Sequence, residues 1–91
     1  IHNMSINNIE LTTQFKKSFR KLSPDIQKKA VKKKRIFANN PFAKSLKTHK
    51  LKGKLKNRWS FSVTRSYRIL FNITTKNKVV FYDIGDHKIY Q

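Results

Sequence analysis

Near the C-terminus, Asp83-Ile84-Gly85-Asp86-His87-Lys88-Ile89-Tyr90 sets an imidazole and a phenol three residues apart, just after an apolar strand. Both groups exchange protons with a phosphodiester. The body that carries them has 22 Lys and Arg against four acids (Glu10, Asp25, Asp83 and Asp86), a formal charge of +18. Ion pairs within the chain neutralise at most four of those cations. The rest face solvent or an anionic partner, and such a surface collects polyanions through counterion release. An ordinary soluble small domain carries a net charge of only roughly 2–8 in magnitude. Proton-transfer groups on a polycation therefore point to the cutting of RNA.

The elements that must position these groups are legible from the spacing of apolar residues. Ile6 to Thr12 reads as a short first strand. Thr12 or Thr13 caps a helix whose Phe15, Phe19 and Leu22 fall on one face. Ser23-Pro24-Asp25 restarts the chain: an N-cap, a residue suited to the first helical position, and an acid at the positive end of the dipole. The second helix is predicted to reach about Ala38, with Ile26, Ala30, Val31 and Phe37 as its apolar stripe. Lys28, Lys29, Lys32, Lys33, Lys34 and Arg35 cover the remainder, as a solvated face or as a grip on RNA. Asn39-Asn40-Pro41 stops this helix, and the pair is expected to form an antiparallel hairpin.

Phe42 to Lys56 lacks periodicity and reads as a basic loop. Three strands then alternate apolar and polar positions: Trp59, Phe61 and Val63; Tyr67, Ile69, Phe71 and Ile73; and Val79 to Ile84. Turns at Thr64-Arg65-Ser66 and Thr74 to Asn77 separate them. The expected fold class is α+β, a two-helix hairpin packed on a small antiparallel sheet in the order β-α-α-β-β-β. Trp59, Tyr67 and Phe71 at strand spacing read as core rather than as base-stacking platforms.

Length and composition bound the rest. Ninety-one residues make one domain, 1–91, and 37% hydrophobic content is enough for a modest core, which excludes a disordered basic tail. Met4 is expected to be the native start, which would leave Ile1-His2-Asn3 as an added remnant and His2 without a role. There is no cysteine, so disulfides and thiolate metal sites are excluded and a reducing compartment fits. No apolar run is long enough to span a membrane, and the basic helix lacks the continuous apolar face of a membrane-surface anchor. The expected location is the cytoplasm. Four scattered acids and three unpatterned histidines give no metal site, and no Gly-rich phosphate loop or Ser-centred nucleophile motif occurs. No metal, small-molecule cofactor or membrane partner is expected.

The ordered set Phe15-Lys16-Lys17-Ser18-Phe19-Arg20-Lys21-Leu22, Asn40-Pro41-Phe42, His49-Lys50-Leu51-Lys52-Gly53, Ser66-Tyr67-Arg68-Ile69-Leu70-Phe71 and Gly85-Asp86-His87 to Tyr90 resembles the RelE/ParE superfamily of toxins from bacterial type II toxin–antitoxin systems. The resemblance covers nearly the whole chain. It implies one of two activities. RelE-like members are ribosome-dependent, metal-independent endoribonucleases that cut mRNA, whereas ParE-like members inhibit DNA gyrase; a non-catalytic RNA-binding module is a third reading. It also implies partners: the ribosome with its rRNA, mRNA, and a cognate acidic antitoxin. Arg68 matches the family arginine on the middle strand of the meander, His87 the imidazole or basic position after the last strand, and Tyr90 the C-terminal aromatic. His49 resembles a histidine of the YafQ-like branch. Trp59 and Phe61 stand where the RelE pattern has two lysines, and no second histidine occurs near Ser62, where the YafQ-like branch has one.

Metal-free RNA cleavage removes a proton from the 2′-OH, stabilises a crowded phosphorane and returns a proton to the departing 5′-oxygen, leaving a 2′,3′-cyclic phosphate. A positioned acid or base contributes about 10²–10⁴ in rate. Arg68 suits the phosphorane, because guanidinium stays ionised and grips two oxygens at once; pairing with Asp83 or Asp86 is its structural alternative. His87 suits the acid. Tyr90 either stacks on a base or assists proton transfer. His49 is the candidate base. Lys50, Lys52, Lys54, Arg58 and Arg65 are candidate phosphate contacts, with Lys52 or Lys54 also a substitute base.

Overall fold

The computed structural model describes residues 5–53, 57–75 and 77–90. After β1 (Asn8–Leu11), the Thr12 hydroxyl accepts a hydrogen bond from the Phe15 N–H at 3.0 Å and so opens α1 (Thr13–Arg20). The same hydroxyl donates to the Tyr82 carbonyl at 2.8 Å, fixing the start of the helix to the last strand. Ser23 accepts from the Ile26 N–H at 3.3 Å and opens α2 (Pro24–Asn39), with Pro24 in its first turn. The Gln27 side-chain amide donates to the Phe19 carbonyl at 2.9 Å and ties one helix to the other. Beyond α2, the Asn40 side chain accepts from the Phe42 N–H at 3.0 Å, and Pro41 is buried.

Five strands form one sheet in the order β1-β5-β4-β3-β2, with β2 at His49–Lys50, β3 at Trp59–Ser62, β4 at Arg68–Thr75 and β5 at Lys78–Gly85. Neighbours are antiparallel except β1 and β5, which run parallel with Asn8 opposite Lys78. The expected order of elements holds, with two refinements. The sheet is mixed rather than wholly antiparallel, because β1 joins it beyond the last strand of the meander and in that strand's direction. The basic loop contains the two-residue strand β2, too short to leave a periodic signature. It follows a 3-10 turn (Lys44–Leu46) that ends on Lys47 in the left-handed region, φ 50°.

One face of the sheet is the core. Phe37 of α2 is fully buried, stacked on Phe61 at 4.6 Å between ring centroids and edge-on to Phe71 at 4.8 Å and Phe81 at 5.5 Å. It thus touches rings from three successive strands. Phe15 of α1 joins through Phe81 at 5.6 Å. Ile69 and Phe71 of β4 are buried in this layer, as the alternation requires. Val31 departs from the expected stripe: it is 43% exposed. On α2, Ala30 and Phe37 are buried and Ile36 packs against the core; Lys33, alone among the Lys28–Arg35 cations, is partly shielded. No described helix is long and apolar enough to cross a membrane.

Candidate functional site

The opposite face of the sheet carries no α-helix among the described residues. Register decides what lies on it. Ser60 and Ser62 of β3 stand opposite Leu70 and Arg68 of β4, and Arg68 in turn stands opposite Gly85 of β5. Ser60 is fully buried and Ser62 is 8% exposed, so each hydroxyl needs a partner. Ser62 Oγ accepts from the Arg68 guanidinium through Nη1. Ser60 Oγ shares a hydrogen bond of 2.7 Å with the Tyr90 hydroxyl. Two residues of extended strand are about 7 Å. The two serines therefore set guanidinium and phenol side by side on one face.

Tyr90 reaches Ser60 because the chain turns back after β5. A 3-10 turn (His87–Tyr90) follows Asp86, whose carbonyl accepts from the Ile89 N–H at 3.1 Å and whose carboxylate accepts from the Lys88 N–H at 3.0 Å. Ile89 lies over Gly85 so closely that a Cβ there would stand 2.7 Å from Ile89 Cγ2. Gly85→Ala is therefore expected to lift the turn while sparing the core. Such a clash costs about 1–3 kcal/mol, so hydrogen exchange of the Ile89 amide should accelerate roughly tenfold or more while Phe71 and Phe81 amides keep their protection. Equal protection at Ile89 would show that the tail accommodates the methyl group.

His49 is the Cα partner of Ser60, so it sits on the same face at the strand next to the Tyr90 anchor. Its Nδ1 lies 3.1 Å from the Lys47 carbonyl. A carbonyl only accepts, so this bond requires Nδ1 to hold the proton and leaves Nε2 of the neutral ring as an exposed acceptor. His87 opens the final turn, two residues past Gly85, and is exposed.

The acids are engaged elsewhere. Among the described residues the ion pairs are Lys29 with Asp25 at 3.4 Å and Lys78 with Glu10 at 3.6 Å. Asp83 turns its carboxylate to its neighbour's N–H, that of Ile84, at 2.9 Å. Among the described residues Arg68 is thus paired with neither Asp83 nor Asp86, nor with any other acid.

The phosphate candidates are dispersed. Lys50 pairs with Trp59 and so belongs to the face opposite His49; Lys52 is exposed beyond β2. Arg65 lies in the bend between β3 and β4. Lys54 falls outside the described residues. Arg58 takes another role: its guanidinium carbon sits 3.9 Å from the centroid of the Tyr82 ring. Tyr82 was not anticipated by the sequence reading. Leu70 pairs with Asp83 but Phe71 pairs with Phe81, so Tyr82 is the extra residue of a bulge that turns it beneath Arg58. The signal in the sequence is the three-residue step from Phe81 to Ile84, where an unbroken strand steps by two. Ser60 and Ser62, likewise missed, read in the sequence only as the polar half of an alternating strand. No three His, Asp or Glu side chains of the described residues gather as a metal-holding group.

Residues 9–89 match the family model described as the ParE toxin of type II toxin–antitoxin system, parDE. The chain belongs to this family. Solved structures agree on the fold of the toxin. The RelBE2 toxin–antitoxin complex from Mycobacterium tuberculosis superposes with a TM-score of 0.77 at 21% identity, covering 92% of this chain and 94% of that one. The YoeB/ParE toxin from Agrobacterium tumefaciens gives 0.76 at 18% identity over 89% and 99%. The E. coli DinJ-YafQ complex gives 0.73 at 21% identity over 91% and 94%. No curated protein matches the chain.

Proposed function

We propose that this toxin is a ribosome-dependent, metal-independent endonuclease that cuts mRNA and so stops translation. The observation that carries the reading is the helix-free face itself. Ser62 and Ser60 hold next to each other a phenol and a guanidinium that pairs with no acid among the described residues, and His49 occupies the adjacent strand with Nδ1 turned to the Lys47 carbonyl. In the reaction, His49 Nε2 takes the proton of the 2′-OH as that oxygen attacks phosphorus. Arg68 spreads the phosphorane charge over two hydrogen bonds. His87, or Tyr90 acting with it, returns a proton to the 5′-oxygen as its bond to phosphorus breaks. The products are a 2′,3′-cyclic phosphate and a 5′-hydroxyl.

The charge of +18 fits docking on the ribosome, whose rRNA phosphates neutralise many lysines at once. Such contacts position without reading sequence. A ribosomal target places the toxin in the cytoplasm. The partner that restrains it would be an acidic antitoxin covering the Arg68/Tyr90 face or a sheet edge, with an affinity that weakens as salt rises. The neighbouring RelBE2 and DinJ-YafQ structures are themselves toxin–antitoxin complexes.

The ParE name of the matching family favours a second reading, gyrase inhibition without chemistry. Mapping mRNA 5′ ends after brief expression, with and without a block on translation, separates the two. New ends inside coding regions, present only while ribosomes translate, are the expected result. Growth arrest without new ends in either condition would overturn the nuclease reading and leave the gyrase reading standing.

A further inference from the structure

The inward stripe of α2 contains one residue that packing does not explain. Ala30, Lys33 and Phe37 follow helical spacing, Ala30 and Phe37 are buried against the sheet, and an apolar side chain is the ordinary occupant of the place between them. Lys33 instead lines a pocket of about 240 Å³. The 3-10 turn before β2 contributes Ser45 and Lys47 to its wall, and the bend after β3 contributes Thr64 and Arg65. Ser62 and Arg68 close it on the side of the helix-free face.

Four cations and three hydroxyls thus surround one cavity with Val63, and no acid among the described residues lines it. Neither ion pair among the described residues involves any of the four cations. Lys47 enters the cavity wall from a left-handed backbone, φ 50°, a conformation non-glycine residues rarely hold. No aromatic ring of the described residues lines the pocket, so they offer no stacking platform for a base there. Its chemistry suits a compact, highly charged oxyanion that accepts several hydrogen bonds.

We propose that this pocket holds a backbone phosphate of single-stranded RNA, next to the phosphate on Arg68. The inference rests on the nuclease reading above for the identity of the chain that enters. Arg68 belongs to both the pocket and the helix-free face, so a strand crossing that face leads one of its anions into the pocket. The pocket thereby fixes which phosphate of the message lies opposite His49 and Tyr90.

The test measures binding rather than cleavage. A fluorescent RNA oligonucleotide, 2′-O-methylated throughout so that it cannot be cut, is titrated with toxin by anisotropy across a series of salt concentrations. The pocket variant Lys33→Met/Arg65→Ser is compared with Lys28→Ser/Lys32→Ser, which removes the same charge from the outer face of α2. The pocket variant should bind about tenfold more weakly, and its log–log salt slope should be shallower by about 0.7, the value of one single-strand phosphate contact. The outer-face variant should change both quantities by much less. Lys33→Met alone should keep or raise the melting temperature, since methionine suits the apolar stripe, which separates lost binding from lost folding.

Equal losses in the two double variants would overturn the proposal, because a diffuse field would then account for binding. A polyglutamate peptide that depends on Lys33 and Arg65 where the RNA does not would overturn it in favour of an acidic polypeptide. If translation-dependent mRNA ends appear but the variants behave alike, the pocket assignment fails and the nuclease reading survives. If the pocket variant behaves as expected but no ends appear, the reverse holds.

Discussion

Arg68→Ala is expected to lower mRNA cleavage by about 10²–10³-fold, the cost of removing one well-aimed donor from a developing negative charge. The size of the effect follows from the isolation of this guanidinium. Asp83 and Asp86 both spend their carboxylates on backbone N–H groups, so no acid among the described residues competes with a phosphate for Arg68. The loss should be kinetic. Ser62, 8% exposed, forfeits its partner, which costs about 1–3 kcal/mol if water does not replace it. That is well within the stability of a small domain, about 5–15 kcal/mol, so the variant should remain folded at growth temperature. Arg68→Lys keeps the charge but not the two-pronged geometry, and should fall between wild type and alanine. Primer extension on a translated message, alongside a thermal melt of each variant, checks both halves. Undiminished cleavage in a folded Arg68→Ala protein would remove the guanidinium from the chemistry.

Phe37→Ala is expected to be the most damaging change for stability. Its ring is fully buried against Phe61, Phe71 and Phe81, one from each strand of the meander. Truncation of a buried phenylalanine costs about 3–5 kcal/mol, partly as lost transfer energy and partly as the cavity left behind. In a domain of this size each kcal/mol is worth about 4–8 °C of melting temperature. A fall of roughly 15–30 °C in a thermal melt is therefore expected. Val31→Ala on the same helix, at a position 43% exposed, should shift stability by no more than about 0.5 kcal/mol. A small shift for Phe37→Ala would mean that the hairpin settles onto the sheet and closes the space.

Much of this architecture is legible in the chain because its signals are local. Thr12 and Ser23 announce the helices through hydroxyls that bond three residues ahead, and both caps are found where the sequence puts them. The aromatic core follows from strand alternation. What escapes is non-local. Val31 and Lys33 exchange expected places because the position of the sheet, not the helix alone, selects which side of α2 is covered. Leu70, which the alternation of Ile69 and Phe71 assigns to the other face, is buried there at 6% exposure, in the middle strand of the meander.

The site divides in the same way. Arg68, His49, His87 and Tyr90 stand out by residue type, since few side chains move protons or grip phosphate near neutral pH. Their supports do not stand out. Ser60 and Ser62 gain meaning only when register brings them opposite Leu70 and Arg68. Tyr82 gains it only through a bulge that displaces it under Arg58.

The parallel seam between β1 and β5 has a consequence for biosynthesis. Thr12 bonds to Tyr82 across 70 residues of sequence, so the first strand has no ladder to join until the last one has emerged. Contacts of such separation slow folding. A nascent chain still missing its final strand also lacks the turn that delivers Tyr90 to Ser60. Closure of the sheet therefore waits on β5, and a chain cut before that strand lacks both the partner of β1 and the Tyr90 anchor on Ser60.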